Sequence, residues 1–234
     1  MQDQRPVTSE VWNAEREKLL VKEKEHTRAG DALAAARRRM PWQVVEKDYT
    51  FEGPSGSASF ADLFDGRRQL LIYRAFYGPD ITTYANPARG DSYPERACEG
   101  CSMIADQVPL NLDSHLNARD TTLAFASRAP QDHLKTLKER HGWVHIPWFT
   151  ITDDWDKDFG VDEWHGHNMF IREGDRIYRT YFIGGRGSEG FGTVWSHLDM
   201  TALGRQEQWE DSPEGWPQTD PAGGWWDYND AYGK

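Results

Sequence analysis

The sequence lacks a long apolar run and is poor in cysteine. No stretch of its 234 residues approaches the ~18 consecutive apolar residues of a transmembrane helix. The first six residues, Met1 to Pro6, contain no apolar segment of the kind found in a secretion signal. We therefore expect a cytoplasmic protein with no membrane partner. Because that compartment is reducing, the only two cysteines, Cys98 and Cys101, are not expected to form a structural disulfide.

The chain also lacks an excess of positive charge. Its 38 acidic residues outnumber its 27 basic residues, for a formal net charge of -11, so we expect no nucleic-acid partner. Aromatic residues, in contrast, are abundant, with 11 Trp, 9 Tyr and 10 Phe, which argues for a folded chain. A mean hydropathy of -0.81 indicates a modest core under a polar surface.

The first forty residues predict two helices in an accessory arm. Thr8 or Ser9 is a suitable N-cap, and Val11, Trp12 and Leu19 belong to an apolar stripe with helical spacing. Gly30 and Asp31 predict a break, after which residues 32–40 form a second helix that ends before Pro41. We expect this arm, residues 1–41, to pack on the main body.

The middle of the chain predicts a mixed α/β domain over residues 42–204. Strand-forming segments alternate with helical ones, which favours parallel neighbouring strands, and a final hairpin adds antiparallel strands on one side. The predicted strands are 42–51, 69–76, 121–127, 143–152, 168–172 and 176–183. The predicted helices run from the cysteines to residue 117 with a bend at Pro109, and over 131–141 and 191–198. Residues 205–234 predict an aromatic-rich tail that packs on the domain or on a second subunit.

The two cysteines form a C-x-x-C dithiol between a predicted buried strand and a predicted helix. Residues three apart on a helix have Cα atoms about 5 Å apart, which is within the range that a disulfide accepts. The free N–H groups at a helix N-terminus stabilise a thiolate. The pattern therefore predicts thiol–disulfide chemistry, with Cys98 as the attacking thiolate, Cys101 as the resolving thiol and no bound cofactor.

The dithiol and several other segments resemble a known family. Cys98-x-x-Cys101-x-Met103-Ile104-Ala105, followed by Pro109, resembles the active-site helix of thioredoxins. From about residue 5 to residue 230 the chain resembles bacterial thioredoxin-like proteins identified as predicted dithiol-disulfide oxidoreductases. This resemblance implies a thioredoxin-like fold with a central mixed sheet flanked by helices, and a redox role. The segments that carry it are 61–67, 100–102, 115–120, 127–130, 142–143 with 147–148, and 198–201 with 204–205.

The sequence departs from thioredoxin at positions that affect the predicted site. Ala97 stands where thioredoxin has a tryptophan, and Glu99 places a negative charge beside the thiols, which disfavours a thiolate at Cys98. Thioredoxins have a cis-proline before the hairpin strand, whereas this chain has His165-Gly166-His167 there. We therefore expect partner binding to differ from that of thioredoxin.

Three alternatives remain open. Pro94, Cys98 and Cys101 resemble the peroxiredoxin pattern Pro-x-x-x-Thr-x-x-Cys with Cys98 replacing the threonine, and this implies a peroxidase in which Cys101 attacks peroxide near Arg128. Copper or zinc handling is the second, because His165 and His167 point to one side of an extended segment and could join the two thiols. The third is a binding module in which the cysteines are incidental.

These expectations define the partners of the predicted enzyme. Electrons would come from a dithiol protein or a small thiol, and the substrate would be a disulfide or a peroxide. A homodimer is also possible in this prediction, because the aromatic-rich tail, residues 205–234, could pack on a second subunit. His167 and Arg128 are the predicted supporting residues. No resident metal is predicted, because a four-ligand zinc site would need two more ligands and the chain has no other cysteine.

Overall fold

A computed structural model of the protein describes residues 6–79, 93, 98–161 and 165–232. The N-terminal arm is a single helix, α1 (Ser9–Arg37), rather than the two helices predicted. The Thr8 hydroxyl caps it by accepting a hydrogen bond from the Val11 N–H at 3.4 Å. The predicted break at Gly30 is wrong because a glycine inside a helix costs only about 1 kcal/mol relative to alanine. The alanines that follow Gly30 favour continuing the helix.

Most of the arm is exposed, and the contact with the main body lies at its C-terminal end. The structure describes every residue of α1, and none of them is buried. Trp12, which belongs to the apolar stripe, is 58% exposed. At the C-terminal end of the helix, the Arg37 guanidinium lies 5.0 Å from the centre of the Tyr181 ring. The apolar spacing therefore predicted the helix correctly, but the apolar stripe of that helix is exposed.

The body of the described structure is an eight-stranded mixed sheet in the order β1-β8-β7-β4-β5-β6-β2-β3. Strand β4 pairs in parallel with β5 and antiparallel with β7, while β5 pairs in parallel with β6. The strands are β1 (Gln43–Val44), β2 (Thr50–Gly53), β3 (Gly56–Ser59), β4 (Gln69–Arg74), β5 (Thr121–Ser127), β6 (Trp148–Ile151), β7 (Gly166–Glu173) and β8 (Arg176–Gly184).

Five further helices follow α1 in the described residues: α2 (Glu99–Asp106), α3 (Leu112–Asn117), α4 (Gln131–His141), α5 (Trp155–Asp158) and α6 (Thr193–Leu198). A β–α–β unit, then an antiparallel hairpin and a helix, with β4 between β7 and β5, is the order of a thioredoxin-like fold. The predicted fold class is therefore confirmed. None of the helices in the described part of the chain is both long and apolar enough to cross a lipid bilayer.

Several predicted elements differ in extent from those observed. The helix predicted from the cysteines to residue 117 is divided into α2 and α3, and Pro109 lies between them, because proline lacks the N–H that a continuous helix needs. Only residues 148–151 of the predicted strand 143–152 join the sheet. The turn-rich segment 53–57 closes the hairpin between β2 and β3, with Gly53 paired to Gly56.

Buried side chains pack on both sides of the sheet. One cluster contains Tyr73, Phe125 and Trp148, together with Cys101 from α2. The other contains Phe51, Phe60 and Trp155. Because β4 is flanked by strands on both sides, its C-terminal end lies in the middle of the sheet, next to the first residues of β7. The dithiol follows β4 in the chain and lies at this end.

The C-terminal tail, residues 205–232 of the described chain, consists of turns with one isolated bridge between Glu207 and Asp220. It contacts the body nevertheless. The Asn229 amide donates to Asp106 at 2.7 Å, and Asp230 forms an ion pair with Arg140 at 3.0 Å. Tyr228 is fully buried. The proposed boundaries after residues 41 and 204 remain predictions.

Candidate active site

The two thiols lie at the N-terminus of α2. Cys98 is the N-cap residue, and its Sγ accepts a hydrogen bond from the Cys101 N–H at 3.4 Å. Both cysteines are free thiols. The Cys98 N–H donates to the Phe76 carbonyl at 3.4 Å, which ties the start of the helix to the segment that leaves β4. Strand, connecting segment and helix thus bring the two sulfur atoms to one place.

The two sulfur atoms have different environments. Cys101 is 1% exposed, and its Sγ accepts hydrogen bonds from the Tyr73 hydroxyl at 3.3 Å and the Phe76 N–H at 3.2 Å. Cys98 is half-buried and lines a cavity of about 300 Å³. A molecule that enters the cavity therefore meets Cys98 first, while Cys101 is held behind it by fixed donors.

The surroundings of the two thiols shift their pKa values in opposite directions. Burial alone would raise the pKa of Cys101, but hydrogen bonds from the Cys98 thiol, Tyr73 and Phe76 bring it below its usual value. The pKa of Cys98 is raised well above its usual value, first by its hydrogen bond to Cys101 and then by burial. The negative charge of Glu99 acts in the same direction, as expected from the sequence. When the reduced pair loses a proton, the negative charge therefore lies mainly on the buried sulfur of Cys101.

Tyr73 is a site residue that the sequence analysis treated only as part of an apolar strand. Its hydroxyl lies 3.3 Å from the Cys101 Sγ and also 3.3 Å from the His165 Nδ1. Burial, followed by the nearby cysteines, raises the pKa of Tyr73 well above its usual value, so it stays protonated and serves as a donor. Its position as the next-to-last residue of β4 was the only available signal.

The two predicted histidines lie beside Tyr73. His165 lines the cavity with Cys98, and the His167 ring is 4.6 Å from the Tyr73 ring. His167 also stacks on Phe191 at 3.9 Å, and its Nδ1 lies 3.3 Å from the Ser188 hydroxyl. Burial lowers the pKa of His165 to about 4 and that of His167 to about 3. Both imidazoles are therefore neutral near pH 7.

Arg128, the predicted supporting cation, shares a buried carboxylate with a second arginine, Arg74. Arg128, suggested by the peroxiredoxin resemblance, donates from its Nε to Asp156 at 3.0 Å. Arg74 donates to the same carboxylate at 3.1 Å, is 1% exposed, and contributes positive charge that lowers the pKa of Cys101. A role for Arg128 in catalysis remains a prediction. Pro94 and Ala97, which also entered the resemblances, lie outside the described residues.

No metal-binding cluster is present in the described part of the chain. There, no group of three or more His, Cys, Asp or Glu side chains is placed so that it could hold a metal ion. Cys98 and His165 share the cavity wall, but Cys101 and His165 are both bonded to Tyr73, between them. The arrangement is thus organised around the tyrosine hydroxyl.

The roof of the cavity comes from the C-terminal tail, which the sequence analysis did not connect with the dithiol. Trp226, Gly223 and Ala222 line the cavity together with Cys98 and His165. The indole of Trp226 lies so close to Gly100 that a Cβ atom on residue 100 would be 2.7 Å from its Cζ3 atom. The glycine between the two cysteines is therefore what allows the roof to lie on the helix tip.

The structure is that of a thioredoxin-fold protein with two free cysteines at the start of α2. The chain belongs to the family described as "Bacterial protein of unknown function (DUF899)", whose family model matches residues 1–232. No curated protein sequence matches it. The family description names no activity, so the redox role is argued below from the site.

Several solved structures are similar to the chain at low identity. A thiol:disulfide interchange protein from Bacteroides sp. is 13% identical, with a TM-score of 0.40, and the match covers 68% of this chain and 91% of that one. A yeast mitochondrial 1-Cys peroxiredoxin is 12% identical, with a TM-score of 0.37 and coverage of 68% and 78%. Apo Sco1 from Thermus thermophilus is 14% identical, with a TM-score of 0.34 and coverage of 65% and 87%.

Proposed function

We propose that the protein is a thiol–disulfide oxidoreductase in which Cys98 attacks and Cys101 resolves. The observation that carries this proposal is the free dithiol at the start of α2, with Cys98 open to a cavity and the Cys101 Sγ held by the Tyr73 hydroxyl and the Phe76 N–H. An accessible sulfur beside a buried, stabilised one is what a two-step exchange needs. No bound cofactor takes part.

The first step forms a mixed disulfide. Cys98 passes its proton to the Cys101 thiolate and attacks one sulfur of the substrate R–S–S–R′, so that Cys98–S–S–R forms and R′S⁻ leaves. The leaving thiolate takes the proton from Cys101, which becomes a thiolate again. This exchange uses the hydrogen bond between the two cysteines, the largest cause of the raised pKa of Cys98.

The second step closes the protein disulfide. The Cys101 thiolate attacks the Cys98 Sγ, and RS⁻ leaves and is protonated by solvent. The substrate has then gained two electrons and the dithiol has lost two. A small thiol or a dithiol protein restores the reduced pair by the same exchange in reverse. The Tyr73 hydroxyl stabilises the Cys101 thiolate in both steps.

Redox titration against glutathione tests the proposal. We expect one two-electron transition, with a midpoint between about -120 and -270 mV as in other thiol–disulfide catalysts. Mass spectrometry of the alkylated protein should show loss of both free thiols together. The proposal fails if no disulfide between Cys98 and Cys101 forms at any glutathione ratio. Incubating Cys101→Ser with cell extract should trap mixed disulfides on Cys98, which would identify substrates and electron donors.

Tyr73→Phe tests how the thiolate is stabilised. Removing the hydroxyl that donates to Cys101 should raise the pKa of the pair and move the pH–rate profile of disulfide exchange to higher pH. His26→Gln, in the exposed helix α1, is a control that should leave the profile unchanged. An unchanged profile for Tyr73→Phe would mean that the hydroxyl is structural only.

Peroxide reduction is a second candidate, favoured by the lowered pKa of Cys101. In that reaction the Cys101 thiolate attacks one oxygen of hydrogen peroxide, the O–O bond breaks, and hydroxide leaves. The Cys101 sulfenic acid then condenses with the Cys98 thiol, which forms the Cys98–Cys101 disulfide and releases water. The burial of Cys101 weighs against it, since peroxide must pass Cys98. A Cys98→Ser protein that still consumes hydrogen peroxide would favour the peroxidase, whereas complete loss would favour disulfide exchange.

A further inference from the structure

We propose that the substrate of the dithiol is a low-molecular-weight disulfide that enters the cavity, rather than a disulfide in another protein. This inference rests on the proposed function and adds the class of substrate. Cys98 reaches the surface through a cavity of about 300 Å³, which is at the small end of ordinary ligand pockets. The size and the walls of that cavity therefore limit what can reach the reacting sulfur.

The cavity exists because the tail covers one side of the helix tip. The Trp226 ring packs against Gly100, and the Sγ of Cys98 is 3.7 Å from the position that a Cβ on Gly100 would occupy. Trp226 of the tail and the Sγ of Cys98 thus both lie next to Gly100, at the start of α2. A helix tip without this roof would present Cys98 on an open surface.

The roof is fastened by a buried carboxylate. Glu207 is 2% exposed and accepts hydrogen bonds from the Gly223 N–H at 2.9 Å and the Trp225 indole at 2.8 Å. The Trp209 indole also donates to it. Hydrogen bonds to an ionised group are roughly twice as strong as neutral ones. The segment that carries Trp226 is therefore held by specific bonds rather than by apolar contact alone.

The wall next to the roof is charged and internally paired. Arg186 and Glu189 line the cavity, and their side chains bond to each other at 3.2 Å. Glu189 is also bound at 2.7 Å by Arg205, which is 5% exposed in its side chain. Together with the apolar faces of Phe76 and Trp226, this wall suits a small polar organic disulfide.

A protein disulfide fits such a cavity poorly for a geometric reason. The two Cα atoms of a disulfide lie only about 4.4–6.8 Å apart, so two stretches of backbone accompany the sulfurs wherever they go. Cys98 would have to reach them past Trp226 and His165, which line the same cavity. A small disulfide brings no such bulk, and it can enter the cavity that Cys98 lines.

Single-turnover kinetics test the inference without requiring the natural reductant. The prereduced protein is mixed with cystine, bis(2-hydroxyethyl) disulfide or insulin, and formation of the Cys98–Cys101 disulfide is followed by quenching with an alkylating agent. Each rate constant is divided by that of dithiothreitol with the same disulfide, which removes differences in intrinsic reactivity. We expect the normalised rate to be at least about 100-fold higher for a small disulfide than for insulin. Equal or faster oxidation by insulin would overturn the inference.

A pair of tail variants gives a second readout. Trp226→Ala removes the roof and should reduce the preference for small disulfides by about tenfold, mainly by speeding the reaction with insulin. Trp216→Ala is the matched control, because Trp216 lies in the same tail and bonds to the Ala202 carbonyl at 2.7 Å but does not line the cavity. Its preference should equal that of the unaltered protein.

The two proposals fail in different ways. If glutathione titration shows a Cys98–Cys101 disulfide but insulin is as good a substrate as cystine, the substrate class is wrong and the redox function stands. If no disulfide forms with any of these oxidants, the proposed function itself is wrong, and the substrate class falls with it. Should Trp226→Ala fail to fold, the comparison of substrates in the unaltered protein still decides the question.

Discussion

The two ends of the chain contrast in regularity and in packing. At the N-terminus, α1 is a regular helix of 29 residues, none of them buried. At the C-terminus, residues 205–232 have almost no regular structure, yet Glu207, Asp227 and Tyr228 are each at most 2% exposed. Regular secondary structure and integration into the fold are therefore separate properties in this protein.

The contrast follows from where each segment satisfies its backbone and side chains. A helix pairs its own N–H and C=O groups, so α1 needs no surface beneath it to remain regular. Turns leave many of these groups unpaired, and they must find partners elsewhere. The tail finds some of them in its own side chains, such as Glu207, which accepts from the Gly223 N–H, and it is joined to the body by the Asn229 amide, which donates to the Asp106 carboxylate. The irregular segment thus depends on the body, and the cavity wall depends on it.

Removing each end in turn is the strongest test of this contrast. Deleting residues 205–234 exposes the core around Tyr228 and should lower the melting temperature by at least about 10 °C, because losing one buried aromatic residue alone costs ~3–5 kcal/mol. Deleting residues 1–37 should change it by no more than about 2 °C, since surface changes stay within ~0.5 kcal/mol. Thermal unfolding followed by circular dichroism measures both. Equal effects of the two deletions would contradict the comparison.

Single substitutions of aromatic residues test the same contrast between the buried tail and the exposed helix α1. Tyr228 is 0% exposed, and its ring lies 4.7 Å from the His141 ring. Tyr228→Ala should reduce the free energy of unfolding by ~3–5 kcal/mol. Trp12→Ala, at a site 58% exposed on α1, should change it by no more than ~0.5 kcal/mol. Urea denaturation supplies both values, and a large cost for Trp12→Ala would show that α1 is covered in solution.

A paired substitution of two glutamates separates a buried acceptor from an exposed one. Glu207→Gln replaces one carboxylate oxygen by an NH₂ group that faces N–H donors, so it should cost ~1–3 kcal/mol. Glu17→Gln, on the exposed α1, should be neutral within ~0.5 kcal/mol. The free energy of unfolding is again the measurement. If both variants are neutral, Glu207 does not fasten the tail.

The dependence of stability on pH tests the burial of His167. The folded protein holds the pKa of His167 at about 3, below its ordinary value of 6.5, so the folded state resists the protonation that the unfolded state undergoes. This contribution is fully present above pH 6.5 and is lost as the pH falls toward 3, at ~1.4 kcal/mol per pH unit. His167→Gln should therefore flatten the fall in unfolding free energy between pH 6.5 and 5. An unchanged slope would place His167 in contact with water.

Most strands and helices were predictable, because the sequence patterns that specify them lie within each segment of the chain. Strand β5 and helix α4 were predicted at their observed limits, 121–127 and 131–141, and the C-x-x-C spacing placed Cys98 at a helix N-terminus. Gly142, in a left-handed conformation that favours glycine, ends α4 as its sequence position suggests. The two-helix arm failed because one glycine is a weak break when strong helix formers surround it.

The sequence pointed to the two cysteines and to the neighbouring histidines His165 and His167, but not to the residues that hold and cover the thiols. Tyr73, which holds Cys101, comes from a strand whose sequence reads simply as buried, and Trp226, which covers Gly100, is 126 positions away along the chain. Nothing in the local pattern of either residue marks it as part of the site. Arg74, which also contributes positive charge to Cys101, shares the carboxylate of Asp156 with Arg128, and this contact joins distant segments of the chain.

The sequence by itself determined that there is one dithiol, that it begins a helix after a central strand, and that the sheet mixes parallel and antiparallel pairs. These features follow from local chemistry: residue spacing, apolar runs and capping. Only the tertiary structure decided which sulfur is stabilised as a thiolate and how the other reaches solvent. Those properties depend on the hydrogen-bond donors Tyr73 and Phe76, on burial, and on the Trp226 ring that lies on Gly100. All of these contacts come from residues distant in the chain, so their free energy is set by the folded arrangement.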